Sequence, residues 1–217
     1  MNNLVVVCPV RNSDSHLSMI THLISQCDGK VLNIGDKIDH DNVTNFDICK
    51  MLECEDYEIS IPYDDNEFDL CICVNVLEHT FEFKKVIDGI KRVIKPSGML
   101  YMELPFLEPF NPSGNNLIRI TPDGIIKLLK DFDIQELEII NGPGSTMHWL
   151  SRIYYALYFD RYGTYNDLIT KSGNTNFIEG FNIFGMSHES LKETDEDLNL
   201  KEHAMLIASS YYVLARK

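Results

Sequence analysis

The most informative stretch for the fold is "VLNIGDKID", residues 31–39. Val31 to Ile34 form a mostly aliphatic run that predicts a short buried strand, and Gly35 follows it directly. A glycine in this place is typical of the tight turn with which nucleotide-binding sheets receive a cofactor. Such loops usually supply further glycines, but here the next places hold Asp36 to Asp39. The stretch therefore predicts the strand and its turn, followed by an altered loop.

The connection to the next strand is unusually short. Only "DKIDHDN" separates Gly35 from the candidate strand at residues 43–49. Parallel strands need a crossover of about a dozen residues or more, which is usually a helix. We therefore expect the first crossover helix to be absent or reduced to a turn.

The rest of the chain alternates between strand and helix patterns. Helical spacing of apolar residues predicts helices in "SDSHLSMITHLISQ", in residues 81–94 and in "TMHWLSRIYYALYF", and Thr121-Pro122 predicts a capped helix start. Apolar or alternating runs predict strands at 4–10, 57–61, 68–77, 99–106, 134–140 and 208–217. This alternation predicts an α/β fold with a mostly parallel sheet and helices on both faces.

The composition of the chain limits the kinds of partner that it is expected to bind. The net charge of −14 argues against nucleic acid and against an anionic membrane surface, since both attract clustered Lys and Arg. The chain shows no apolar run of the ~20 residues that span a bilayer. Its six cysteines form no CxxC pair, and Cys71 and Cys73 share one face of a predicted strand. This pattern favours reduced thiols in a cytoplasmic protein.

Several short motifs occur in a fixed order. They are "LNIG", an acidic end to the second strand, "IPYDDNEFD", "NVLEH", an amphipathic helix, and "KPSG" before a strand. In this order they resemble a class I S-adenosylmethionine-dependent methyltransferase of the small-molecule type, like methyltransferase type 11. The resemblance covers roughly residues 29–140, with an echo in "ASSYYVLARK".

The resemblance implies one Rossmann-like domain over residues 1–217. Its parts would be an N-terminal strand and helix (1–28), a core (29–144), a helical and loop lid (145–200) and a terminal strand (201–217). It also implies S-adenosylmethionine as the cofactor and a small-molecule acceptor. A homodimer is a separate expectation for the chain.

Site residues follow from the same resemblance. The cofactor would contact Ile34, Gly35, Asp36, Asp47, Ile48, Asn75 and Val76, with Asp47 on the ribose hydroxyls. His79, at a strand-to-helix turn, is the candidate general base, although packing at the helix start is an alternative role. Substrate contacts would come from Asn111, Arg119, Thr121 and His148. Arg119 could bind a carboxylate or phosphate of the substrate, and an ion pair with an acidic residue of the protein surface is an equal alternative. No cysteine, histidine or acidic cluster has the spacing of metal ligands.

The predicted function has two classes. One is methyl transfer from S-adenosylmethionine to a small molecule, such as a sugar or a cell-envelope intermediate. The other is a catalytically inactive relative that serves as a binding or structural partner. Gly35, Asp47 and "NVLEH" favour the enzyme, whereas the altered loops at 36–39 and 111–117 favour the inactive relative. Lys37 could replace the missing glycines as an anchor for the carboxylate of the cofactor.

Overall fold

The computed structural model describes residues 13–48, 60–108, 117–142, 146, 208 and 210–217. Its helices are α1 (Ser13–Ser25), α2 (Phe83–Val93) and α3 (Pro122–Leu128), with a 3-10 helix at Leu77–His79. Its strands are β1 (Val31–Ile34), β2 (Val43–Phe46), β3 (Phe68–Val74), β4 (Ile94–Pro105), β5 (Asp133–Asn141) and β6 (Ser210–Arg216).

These strands form one sheet in the order β2-β1-β3-β4-β6-β5. The pairs β2–β1, β1–β3 and β3–β4 are parallel, whereas β6 runs antiparallel to both β4 and β5. The predicted α/β class with a mostly parallel sheet is therefore confirmed. The carboxyl ends of β1 to β4 meet along one edge, where such sheets bind their ligands.

Helices cover both faces of the sheet. On one face, side chains of β1, β3 and β4 pack against α2 and α3; they include Leu32, Ile34, Cys71, Cys73, Leu100, Met102, Val86, Ile90, Ile125 and Leu129. On the other face, the strands pack against α1; the residues include Val31, Leu70, Ile72, Tyr101, Ile20 and Ile24. Burial on both faces explains why the central strands are nearly continuous apolar runs.

The cysteines of β3 behave as the sequence predicts. Cys71 and Cys73 are free thiols and lie on the same face of the strand, inside the core. Burial raises the pKa of both thiols, so they stay protonated and unreactive at neutral pH. Their role in the described structure is packing.

The shortened first crossover is also present. Between Ile34 and Val43 the chain forms bends and a turn and contains no helix. Farther on, Thr121 caps α3 as predicted, because its hydroxyl accepts a hydrogen bond from the amide of Gly124 at 3.1 Å. None of the helices in the described ranges is long and apolar enough to cross a membrane.

Some element boundaries differ from the predictions. The strand predicted at 68–77 ends at Val74, because a positive φ of 51° at Asn75 turns the chain into the 3-10 helix. β4 begins at Ile94, so "KPSG" belongs to the strand and does not precede it. Ser60 and Ile61 are not in a strand. The elements predicted at 4–10 and 147–159, and residues 57–59 of another, lie outside the described residues.

Candidate functional site

The turn after β1 packs directly on the end of β3. Gly35 has a φ of 130°, a conformation that side chains rarely adopt. A Cβ atom at this position would lie 3.0 Å from the carbonyl oxygen of Val74 and 3.5 Å from Cγ2 of Val76. The glycine therefore allows the turns after β1 and β3 to approach each other at the carboxyl edge.

A pair of asparagines holds the altered loop, and we call Asn33 and Asn45 the asparagine clamp. The side-chain amide of Asn33 donates to the carbonyl of Asp36 at 2.7 Å and to Oδ1 of Asn45 at 2.8 Å. The Asn45 side chain both accepts from the amide of Ile38 and donates to its carbonyl, each at 2.8 Å. The clamp replaces the missing crossover helix as the support of residues 36–38.

Sequence reasoning did not identify the clamp. Asn33 and Asn45 are directly paired in the register of β1 and β2. Asn33 is a polar residue within an otherwise apolar strand, and it is only 2% exposed. A buried amide must be hydrogen-bonded, so a polar residue inside an apolar strand was the available signal.

A cavity of about 450 Å³ lies between α1 and the clamped loop. This volume is within the range of small-molecule sites. Its lining combines apolar residues of α1 with the loop: Leu17, Ile20, Thr21, Ile24, Asn33, Asp36, Lys37, Ile38, Asp39, His40 and Val74. Asp36 is the member that was also predicted to bind the cofactor, and Lys37 lies beside it.

The end of β2 presents one polar and one apolar residue. Asp47 is exposed, whereas Ile48 is completely buried. Beneath them, Phe46 contacts Tyr63 edge-on with ring centroids 6.0 Å apart, and Tyr63 contacts Phe68 in the same way at 5.1 Å. The rings give this part of the edge a rigid apolar floor.

The turn after β3 is tied to β4. The amide of Asn75 donates to the carbonyl of Glu103 at 3.2 Å, and Val76 is buried against the core. The 3-10 helix that follows carries Glu78 and His79. The structure thus places the turn residues Gly35, Asn75 and Val76 together and puts His79 on the next turn of chain.

Glu78 is buried beside His79, which the sequence analysis had singled out alone. The residue is 5% exposed, and its Oε1 lies 3.8 Å from Nε2 of His79, whose side chain is 26% exposed. Its backbone carbonyl accepts hydrogen bonds from the amides of Leu117 and Ile118 at 2.8 and 3.3 Å. In the described structure, Glu78 Oε2 is buried without a hydrogen-bond partner.

Arg119 comes directly after Leu117 and Ile118 in the chain and lies near acidic side chains of the protein. Burial raises the pKa of Glu78, while a hydrogen bond from its own backbone amide and the charges of His79 and Arg119 act in the opposite direction. Burial also raises the pKa of Glu108, and both the Arg119 guanidinium and a hydrogen bond from Ser210 oppose this rise. We call Glu78, Glu108 and Arg119 the acidic cluster. Of the two roles that the sequence left open for Arg119, a substrate contact or an ion pair within the protein, the second agrees with these neighbouring carboxyl groups.

The other predicted substrate residues divide into two sets. Thr121 is exposed and its hydroxyl caps α3, which gives it a structural task. Asn111 and His148 lie outside the described residues. Within the described ranges, no group of three or more His, Cys, Asp or Glu side chains could hold a metal ion.

Residues 32–102 match the family model described as "Methyltransferase domain". The match covers about a third of the chain and includes β1 to β3 and most of β4. Over this segment it confirms the resemblance to methyltransferases that the motifs indicated.

The chain is similar to further proteins. A 42-residue stretch is 43% identical to an uncharacterized protein of Methanocaldococcus jannaschii, and it spans 19% of this chain and 18% of that protein. A SAM-dependent methyltransferase structure from Archaeoglobus fulgidus is 14% identical over 94% of both chains, with a TM-score of 0.48. The structure of the cyclase SpnF is 18% identical over 92% of this chain and 80% of its own, with a TM-score of 0.47.

Proposed function

We propose that this protein transfers a methyl group from S-adenosylmethionine to a small-molecule acceptor, such as a sugar or a cell-envelope intermediate. The match to a methyltransferase domain supports the reaction class. The observation that carries the proposal is the close approach of the turns after β1 and β3. Gly35 leaves this approach free of a side chain, since a Cβ would lie 3.0 Å from the Val74 carbonyl.

The residues at this edge fit the cofactor. Gly35 lets the turn after β1 lie against the end of β3 at the carboxyl edge, where a Cβ would meet the Val74 carbonyl at 3.0 Å. Asp47 is an exposed carboxyl group at the end of β2 that could accept hydrogen bonds from the ribose hydroxyls. In the proposal, the cofactor is held by Ile34, Gly35, Asp36, Asp47, Ile48, Asn75 and Val76.

The chemistry makes modest demands on the protein. When bound, S-adenosylmethionine supplies an electrophilic methyl group on a sulfonium. Positioning of the acceptor can supply much of the acceleration in such a displacement. A general base is needed only if the acceptor is protonated at neutral pH, and it contributes about 10²–10⁴-fold. His79 is the proposed base, since it is partly exposed and lies one turn after Asn75 and Val76.

One observation favours the second candidate function, a catalytically inactive binding partner. The asparagine clamp satisfies the backbone of Asp36 and Ile38 from within the protein. A loop held in this way keeps its conformation without any ligand. In the inactive relative, the clamp would preserve the fold after the loss of cofactor binding.

Calorimetric titration with S-adenosylmethionine and with S-adenosylhomocysteine separates the two functions. We expect micromolar binding that Asp47→Ala abolishes. Asp41→Ala is the matched control, because Asp41 is also exposed and lies just before the other end of the same strand. An absence of heat up to millimolar ligand, in a folded sample, would reject the enzyme and favour the binding partner.

Other features of the proposal concern the whole chain. We expect residues 145–200, nearly all outside the described residues, to form a lid over the carboxyl edge. The protein would act in the cytoplasm, without nucleic-acid partners, as a homodimer. Light scattering of the purified protein, with and without S-adenosylhomocysteine, would measure the oligomeric state.

A further inference from the structure

We propose that the acceptor binds as an organic cation, with an ammonium group held by the carboxyl groups of Glu78 and Glu108. This inference rests on the proposed function and specifies its substrate class. The site would lie beyond the carboxyl ends of β3 and β4, next to the proposed base His79.

The first argument is the incomplete hydrogen bonding of Glu78. Its side chain is 7% exposed, and Oε2 has no hydrogen-bond partner in the part of the chain that the structure describes. A buried polar group left in this state lowers stability, and the loss is greater if the group is charged. A ligand that donates a hydrogen bond to Oε2 would recover this cost.

The second argument is the balance of charge. Within the acidic cluster, one guanidinium faces two carboxyl groups, and Arg119 also donates to the carbonyl of Ile118 at 3.2 Å. One guanidinium can neutralise only one of the two carboxylates, so a second cation beside them would be stabilised when both are ionised.

The third argument distinguishes an ammonium group from a metal ion. The described residues contain no group of three or more His, Cys, Asp or Glu side chains that could hold a metal. An ammonium group needs fewer protein ligands, because it donates directional hydrogen bonds to individual carboxylate oxygens. The cluster matches that requirement with Glu78 Oε2 and the Glu108 carboxyl.

The position of His79 agrees with an amine acceptor. A protonated amine has no free electron pair and must lose a proton before it can act as a nucleophile. The proton would pass to the His79 imidazole, and the nitrogen would recover its electron pair. The resulting imidazolium would lie beside Glu78, whose Oε1 is 3.8 Å from Nε2 of His79. The step requires no oxidant or reductant.

The test compares two probes of nearly equal shape, phenethylammonium and 2-phenylethanol. Each is titrated calorimetrically into the full chain, with and without saturating S-adenosylhomocysteine. We expect the ammonium to bind at least tenfold more tightly than the alcohol. Glu78→Gln and Glu108→Gln should each weaken ammonium binding at least tenfold and leave binding of the alcohol within twofold.

Glu82→Gln is the matched control. It removes the same charge four residues from Glu78, but the Glu82 side chain is 53% exposed and pairs with Lys85 on the surface. We expect it to change ammonium binding by less than twofold. If Glu78→Gln does not fold, which its circular dichroism spectrum would show, Glu108→Gln alone decides.

Each outcome separates the inference from the proposed function. S-adenosylhomocysteine binding without preference for the ammonium overturns the inference and leaves methyl transfer standing. Ammonium binding that both variants weaken, without any cofactor binding, supports the cation site and overturns methyl transfer. Binding of Mg²⁺ that depends on Glu78 and displaces the ammonium would overturn the inference in favour of a metal site.

Discussion

The turns after β1 and after β3 lie side by side at the carboxyl edge but are held in different ways. Gly35 and the loop behind it are supported by the asparagine clamp, in which each amide group has a partner in the protein. The turn after β3 leads to Glu78, whose Oε2 is buried without one among the described residues.

This difference indicates different tasks. A turn whose polar groups are internally satisfied keeps its shape without a ligand and acts as a scaffold. A buried carboxyl oxygen that lacks a partner among the described residues lowers stability, and a ligand that donates a hydrogen bond to it would recover this loss. Under the proposed function, the β1 turn would be a preformed support for the cofactor, and the β3 turn would recognise the acceptor. The predictions below test this difference and are ordered by the expected size of the change in stability.

Gly35→Ala should have the largest effect on stability. The φ of 130° and the 3.0 Å approach to the Val74 carbonyl combine backbone strain with a clash against rigid backbone. We expect the free energy of unfolding to fall by about 3 kcal/mol, near the upper end for such strain. Chemical denaturation measures this change.

Gly89→Ala is the control for that substitution. Its Cβ would also lie 3.0 Å from another atom, but that atom is Cδ1 of Ile61, the tip of a flexible side chain. Gly89 lies inside α2, where Ala is favoured over Gly by about 1 kcal/mol. The change should stay within about 1 kcal/mol. Equal losses from both variants would show that the β1 turn is not a special constraint.

Asn45→Ala should have the next largest effect, because it removes the central member of the clamp. The variant loses hydrogen bonds to Asn33 and to the backbone of Ile38. We expect a loss of about 1–2 kcal/mol. A double-mutant cycle with Asn33→Ala should show a coupling of about 0.5 kcal/mol or more. Additive losses would mean that the two asparagines do not act together.

The free energy of unfolding should depend on pH through Glu78 and Glu108, which follow β3 and β4. Burial raises the pKa of both Glu78 and Glu108, so the folded protein binds more protons than the unfolded chain above the usual glutamate range. The stability from these groups is complete below that range and is lost as the pH rises through their raised pKa values. Urea denaturation at a series of pH values measures this slope.

Glu78→Gln should flatten this slope, because a neutral amide replaces the titrating group, whereas Glu82→Gln should retain it. Exposed pairs act in a different window. Lysine partners lower the pKa of Glu67, Asp69 and Asp131, so their stability is lost as the pH falls through these lowered values. An unchanged slope in Glu78→Gln would contradict the burial argument.

Lys37→Ala should have the smallest effect on stability. The Lys37 side chain is 75% exposed and lies 3.7 Å from an almost fully exposed Asp39, a pair expected to contribute less than about 1 kcal/mol. If Lys37 anchors the carboxylate of the cofactor, the variant should weaken S-adenosylhomocysteine binding about tenfold, which corresponds to ~1.4 kcal/mol. Unchanged binding, measured by calorimetry, would remove Lys37 from the site.

Local patterns in the sequence predicted most of the described fold. The apolar runs predicted β1, β3 and β6, because strands buried on both faces must be continuously apolar. The seven residues between Gly35 and Val43 predicted the missing crossover helix, because so short a segment cannot hold one. Thr121 predicted the start of α3 through the chemistry of its hydroxyl. Each of these features depends on neighbours within about one turn or strand.

The site depends on contacts between segments that are distant in the sequence, and these contacts arise only in the tertiary structure. Asn33 and Asn45 become a clamp because β1 and β2 pair in one register. Glu78 is 5% exposed, and its backbone carbonyl accepts hydrogen bonds from Leu117 and Ile118, about forty residues away in the sequence. The sequence left two roles open for Arg119, a substrate contact or an ion pair within the protein, and packing places it beside the protein's own carboxyl groups. Charge and hydrogen-bonding capacity are properties of a residue type, whereas desolvation and the identity of the partner arise only from packing.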